Sequence, residues 1–235
     1  MPFRKVRFRR PVTSYAKVEA MVGSLIRNRK FQLRRLRGRP HLYLDIGAGR
    51  TFHEGFVHVD YLWNSNIDLC WNVLAGLPFA EGSVSGIYSQ HMLEHFSLPR
   101  VAFILAECRR VLAAGATIRV VVPDIAKYLE AYVGKRNGDP HARFPYEDAD
   151  VFQGIRAPMI SLNRIFYLDR DSLFGHRTMF DFDLMRELLV QAGFVEVKQC
   201  ACGEGRDERL LVDSESRRGE SLYVEAVAPG RPTRG

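Results

Sequence analysis

Between Leu42 and Arg50 the chain reads Leu-Tyr-Leu-Asp-Ile-Gly-Ala-Gly-Arg. A short apolar run, rather than an alternating one, predicts a strand buried on both faces, as in a parallel sheet. Gly47 and Gly49 allow a sharp turn at its carboxyl end, and they leave room for a ligand to touch the backbone. In open α/β sheets such turns are where ligands sit. A lone Gly-x-Gly is equally an ordinary strand-to-loop turn, so the following residues decide between the two.

Phe56-Val57-His58-Val59-Asp60 arrives almost at once and reads as a second strand. Only about a turn of helix fits in between, where a nucleotide-binding βαβ unit has a full one. An acid ending the second strand is placed to accept from two adjacent ribose hydroxyls; the alternative is a turn or cap residue. Ile67–Trp71 is a weaker third strand, and Ser85–Gln90 a fourth that leads into His91-Met92-Leu93-Glu94-His95. Ser97 and Pro99 open a helix with Val101, Ile104, Leu105, Cys108, Val111 and Leu112 on its buried stripe, ended by Gly115. Thr117–Val122 is the clearest strand, closed by Pro123-Asp124, and a helix with Ile125, Tyr128, Leu129 and Tyr132 on one face follows. Residues 134–180 read as an irregular lid or substrate insertion. Asp181 caps a helix that runs to Gln191. Phe194–Cys200 and Ser221–Val227 alternate, which predicts a more exposed antiparallel pair at one edge.

Charge divides the chain. Residues 1–39 hold 13 Lys/Arg against Glu19 alone, in a chain whose formal net charge is +7, so the remainder is net acidic. Apolar residues at three- and four-residue spacing from Val18 to Leu36 predict a helix stopped by Gly38 and Pro40, with its stripe on a sheet edge and its basic face outward. The expected organisation is a basic arm and helix over 1–39, a domain over 40–228, and a disordered tail over 229–235. The arm suits an anionic partner, nucleic acid or a membrane surface, or else packs as a solvated helix. No stretch approaches a membrane span, and the start lacks the apolar core of a secretory signal. Cys70, Cys108, Cys200 and Cys202 are too scattered for a disulfide framework, and reduced thiols are expected. Together these features predict a cytoplasmic protein, peripheral to a membrane if the arm binds one.

The order of strands and motifs resembles class I S-adenosylmethionine-dependent methyltransferases over residues 41–228. The middle block is similar to the methyltransferase-type-11-like group. The phrases that carry the resemblance are Leu44–Gly49, Leu77-Pro78-Phe79, His91–His95, Arg110–Gly115, Val121–Asp124, Gly175-His176-Arg177, Phe180-Asp181 and Ala192-Gly193-Phe194. The resemblance implies an α/β Rossmann-like fold: a doubly wound, three-layer α/β/α arrangement around a seven-stranded sheet, mostly parallel with one antiparallel strand. It implies S-adenosylmethionine as cofactor, S-adenosylhomocysteine as product, and no metal. Asp45, Gly47 and Gly49 would border the methionine part, Asp60 the ribose, and Asn72 with Val73 the adenine edge. Gln90 or His91 would lie near the sulfonium. The near-absence of the first helix, Asn72 in place of the common Asp, and Ser85-Gly86 depart from the pattern.

Methyl transfer from a sulfonium needs position and, for a weak nucleophile, a base. His91, just past the fourth strand, is the candidate base. Asp124, with His176 or Arg177, is a candidate for contact with the acceptor. His91-x-x-Glu94-His95 also fits the spacing of an inverted zincin, but the context is a strand end and no distal ligand stands out. The reading is a methyltransferase for a small-molecule or glycan acceptor. The alternatives are an RNA methyltransferase that uses the basic arm, and a non-catalytic cofactor-binding scaffold.

Overall fold

The computed structural model describes residues 18, 21–23, 25, 30–37, 41–145, 151–152, 154–167 and 175–230. Most of the basic arm, the tail beyond 230 and parts of the 134–180 insertion lie outside them. The apolar run at Tyr43–Ile46 is strand β1, and it pairs in parallel with β2 (Phe56–Asp60) on one side and β4 (Val84–Gln90) on the other. The full order is β3-β2-β1-β4-β5-β9-β8, with β3 at Leu69–Cys70, β5 at Leu112–Pro123, β8 at Val195–Cys200 and β9 at Ser221–Val227. Strands β1 to β5 are parallel, and β9 enters antiparallel between β5 and β8. This is the expected seven-stranded, mostly parallel sheet.

One face of the sheet is aliphatic. Leu44, Ile46, Val57, Val59, Ile87, Ile118, Val120, Leu222 and Val224 form the main core with α2 (Leu98–Val111) and α5 (Phe182–Gln191). The helix stripe read from sequence at Val101, Ile104, Leu105, Cys108 and Val111 is buried there. Burial at about 25 cal/mol per Å² of apolar surface makes this layer the main source of stability. Leu33 and Leu36 of α1 (Lys30–Arg37) join the same core. Val18, Met21, Val22 and Leu25 are exposed, so the predicted N-terminal stripe is not continuous. Gly23 does meet the sheet edge: a Cβ there would lie 2.7 Å from Sγ of Cys70 on β3.

The opposite face is polar and aromatic. Tyr43, Phe56, Tyr88, Val121 and Tyr223 pack under Leu210 and Val212 of the segment between β8 and β9. Arg119, fully buried on β5, fastens that segment. It donates to both carboxylate oxygens of Asp213, to Glu225 Oε1 at 2.9 Å, and to the carbonyls of Ala201 and Glu204. The two carboxylates outweigh the burial that would otherwise lower its pKa, which is raised. This layer corrects the reading of β9 as exposed: all seven of its residues are buried, because its polar face is roofed by residues 201–213, and β8 alone is the open edge.

Three other boundaries differ from the sequence reading. Helix α2 stops at Val111 rather than Gly115, because Leu112 already pairs with Val84 of β4. The insertion is less irregular than expected. It holds the end of α3 (Ile125–Arg136), a β6–β7 hairpin (Val151–Phe152 and Ile155–Arg156) and α4 (Met159–Tyr167). Tyr128, Ala131, Phe144 and Leu162 form a satellite core there. Residues 47–55 contain no helix.

The phrases Leu77-Pro78-Phe79 and Arg110–Gly115 meet in space. Arg110 donates to the carbonyls of Leu77 and Phe79, while Glu107 accepts from the Leu77 amide at 2.7 Å and pairs with Arg110. Among the described residues no helix is long and apolar enough to cross a membrane. Cys70, Cys108, Cys200 and Cys202 form no disulfide, and burial pushes the Cys108 thiol up to about 12.

Two outcomes follow. Arg119→Ala strands two buried carboxylates and is expected to cost about 3–5 kcal/mol in urea unfolding. The hydrogen bond from Arg110 holds the Glu107 carboxyl below its ordinary 4.5. A depressed acid contributes stability above its unfolded pKa that is lost as pH falls through the folded one. The stability advantage of wild type over Glu107→Gln should therefore be full at neutral pH and shrink below about pH 4.5, as read by unfolding at a series of pH values.

Candidate active site

The carboxyl ends of β1, β2 and β4 open onto a cavity of about 390 Å³. Gly47, Gly49, Asp60, Asn72, Val73, His91 and Arg177, all singled out from the sequence, line it. So do Tyr61, Trp71, Leu74, Met92, Phe96 and Arg100, which were not, and His95, which the sequence raised only through the zincin spacing. The volume suits a cofactor-sized ligand, and a mostly apolar wall with a few polar groups is the usual form of such a site.

Asp60 is the anchor. Its Oδ2 accepts from the Gly49 amide at 2.9 Å, and its Oδ1 from the Leu62 amide at 2.8 Å. A carboxylate has about four acceptor sites, so the two backbone bonds fix its plane and leave lone pairs for a ligand. Burial raises its pKa, and the Leu62 and Gly49 amides oppose that rise. Gly49 has nothing within 4 Å of a built Cβ, which leaves its upper surface open to the cavity. Gly47 has φ +80°, and the side chain of Met92 lies across it, with Cγ 2.3 Å from where a Cβ would be. Farther along, Asn72 Oδ1 caps the turn at Val73–Ala75 through the Leu74 amide. Trp71 Nε1 is tied to the Gly76 carbonyl at 2.6 Å, which fixes the indole in the wall.

Four expected site residues point elsewhere. Asp45 is buried against His53 Nδ1 at 3.1 Å, on the polar face of the sheet and outside the cavity lining. Gln90 faces the same way: its Oε1 accepts from the Tyr88 hydroxyl and from the Ser214 amide. Strand alternation explains both, since a residue whose side chain enters the polar layer cannot also face a ligand above the strand end. Asp124 caps α3 through the Ala126 amide at 3.1 Å. His176 lies behind the cavity wall, where its Nδ1 is 2.7 Å from the Ile165 carbonyl, and burial lowers its pKa.

His91 lines the cavity with strained backbone, φ +50°. Its ring is flanked on both sides: Nε2 lies 2.9 Å from Ser221 Oγ, and Nδ1 lies 3.4 Å from Glu94 Oε1. Nε2 is engaged by Ser221, whereas among the described residues Nδ1 makes only the long contact with Glu94, which is not a hydrogen bond. The 175–180 segment is pinned to the same turn, since the amides of Arg177 and Thr178 both donate to the Glu94 carbonyl, at 2.7 and 3.2 Å. That brings Arg177 into the lining, which Arg100 of α2 shares.

Residues 64–120, which run from the β2–β3 loop into β5, match the family described as a methyltransferase domain. The match covers about a quarter of the chain, and over that stretch the chain is similar to a methyltransferase domain.

Solved structures with similar folds include a SAM-dependent methyltransferase of Thermotoga maritima, at 13% identity over 92% of this chain and 95% of that one, TM-score 0.46. Another, from Archaeoglobus fulgidus, has 15% identity over 92% and 99%, TM-score 0.46. A third is the Burkholderia thailandensis 1,6-didemethyltoxoflavin-N1-methyltransferase with bound 1,6-didemethyltoxoflavin and S-adenosylhomocysteine, at 15% identity over 97% and 94%, TM-score 0.44. No curated protein matches the sequence.

Of the cavity's missed lining residues, Tyr61 and Trp71 had a usable signal, as aromatics directly after the strand ends at Asp60 and Cys70. Arg100 had none, because its place depends on how α2 crosses the sheet. Gly47→Ala combines positive φ with a clash against Met92. It is expected to destabilise the fold by about 1–3 kcal/mol, read as a lowered thermal midpoint.

Proposed function

We propose that this chain is a class I S-adenosylmethionine-dependent methyltransferase that moves the cofactor's methyl group to an oxygen of a small-molecule or glycan acceptor. The observation that carries the cofactor reading is the Asp60 carboxylate, oriented by the Gly49 and Leu62 amides at the mouth of the cavity. In that reading Asp60 accepts from the two ribose hydroxyls. Tyr61, Trp71 and Val73 supply apolar surface for the adenine, and the second lone pair of Asn72 Oδ1 accepts from its amino group. The open backbone at Gly49 and the bend at Gly47 give the methionine portion room to pass. Arg100 and Arg177 offer guanidinium groups to a carboxylate at the other end, that of the methionine or of an acidic acceptor.

S-adenosylmethionine supplies a methyl group on a positively charged sulfur, so the protein's task is alignment of the acceptor for in-line displacement. Phe96 and Met92 exclude water from that end of the cavity. His91, held by Ser221, positions that corner; to act as the base through Nε2 it must first release that contact. Small acceptors are favoured over RNA because the cavity is bounded and the described residues bring two arginines to it, rather than a basic track.

Isothermal titration of the full chain with S-adenosylmethionine is expected to show one site. Asp60→Ala removes a charged acceptor and should weaken binding by about 10- to 100-fold, the equivalent of one or two charge-assisted hydrogen bonds. Absence of binding to wild type would overturn the reading in favour of a non-catalytic scaffold. Product S-adenosylhomocysteine, measured during a screen of hydroxylated acceptors, tests turnover.

A further inference from the structure

We propose that Glu94, His95 and His176 hold a divalent cation at the inner wall of the cofactor cavity, with its open coordination positions available to an acceptor oxygen. The cation site rests on the methyl-transfer reading only for its use; its existence is independent of it. One ligand atom from each residue lies within 4.8 Å of the other two. Two imidazoles and one carboxylate form a set that holds zinc, manganese, iron or cobalt and leaves positions open.

Glu94 carries the argument. It is 1% exposed, and neither carboxylate oxygen accepts a hydrogen bond among the described residues. Its one short ionic contact there is His91 Nδ1, at a long 3.4 Å from Oε1. A buried carboxylate without acceptor bonds costs several kcal/mol, so such groups are paired or coordinate metals. Beside it lies a void of about 10 Å³ lined by both Glu94 and His176, about the space of one water or ion.

His176 is oriented as a ligand. Its Nδ1–H donates to the Ile165 carbonyl at 2.7 Å, which fixes the tautomer and leaves the Nε2 lone pair for a cation. Burial favours the neutral, ligating form of its ring. The His95 and His176 ring centroids are 5.3 Å apart, and His95 also lines the large cavity, so the group spans the wall between void and cavity. Backbone pinning of residues 177 and 178 to the Glu94 carbonyl is what brings His176 across from the insertion. It is the distal ligand that the sequence pattern His91-x-x-Glu94-His95 lacked.

A second cluster, Asp45, His53 and His58, is closed by comparison. His58 Nε2 accepts from the His53 amide at 2.8 Å, its Nδ1 bonds Asp68, and His53 Nδ1 bonds Asp45. Its lone pairs are spent within the protein.

The chemistry balances without a further reactant. An acceptor hydroxyl bound to the cation loses its proton to water, because the positive charge stabilises the alkoxide. That oxygen forms a bond to the methyl carbon while the carbon–sulfur bond breaks, and the electron pair goes to sulfur. The methyl ether and neutral thioether leave.

The test uses the full chain and the metal alone. Zn²⁺ or Mn²⁺ titrated calorimetrically is expected to bind with one equivalent. Glu94→Gln and His176→Ala should each weaken it by about tenfold or more, while S-adenosylmethionine still binds. Electron paramagnetic resonance of the Cu²⁺-loaded wild type should show two coordinating nitrogens, a reading that needs no variant to fold. No metal uptake by wild type that still binds S-adenosylmethionine overturns the cation site and leaves the transferase reading standing. Uptake unchanged in Glu94→Gln but lost in His53→Ala would place the metal at the other cluster, and also overturns it.

Discussion

The site depends on β1 being hydrogen-bonded in parallel on both sides. Tyr43–Ile46 pairs with β2 and β4, so three strands end at one level, and the chain must leave each upward. Much of the cavity lining hangs from those three exits: the glycine turn, Asp60 with Tyr61, and the 91–96 turn. Sheet pairing, rather than any local loop preference, therefore sets the distance between the acid and the far wall. A loop alone could not hold Asp60 in plane; the Gly49 amide does so because β1 and β2 are in register.

The two faces of the sheet do different work. The aliphatic face supplies the bulk of the burial and carries α2 and α5, whose crossing sets where Arg100 and the 175–180 segment lie. The polar face stores an ion network around Arg119, in which burial is tolerable because each guanidinium nitrogen has a partner. Asp45, His53 and His58 belong to that second layer. Their carboxylate and imidazoles resemble a site in composition, yet they are consumed in holding the 47–55 connection to the sheet.

What could be read in the sequence was local. The apolar run, the paired glycines and the acid closing the second strand are periodicity and end signals, and they gave β1, β2 and the cavity floor. Arg119 was invisible because its carboxylate partners lie 94 and 106 residues away. The polar alternation of β9 was misread for the same reason, since its cover comes from residues 201–213. The insertion showed too little periodicity for α4 or the hairpin to stand out, since the satellite core joins Tyr128, Phe144 and Leu162 across long separations. Asp45 and Gln90 show the limit of motif transfer: a strand position fixes which face a side chain takes, and these two fall on the wrong one.

The bare connection from β1 to β2 has an electrostatic result. A helix beginning at Gly49 would have aimed a row of amide dipoles at any anion above the strands. Without it, the positive charge that lines the cavity sits on Arg100 and Arg177, at the tips of long side chains carried by two separate elements. In the proposed reading an anionic group is therefore met by side-chain cations rather than by backbone amides, and the pull of such cations fades with ionic strength.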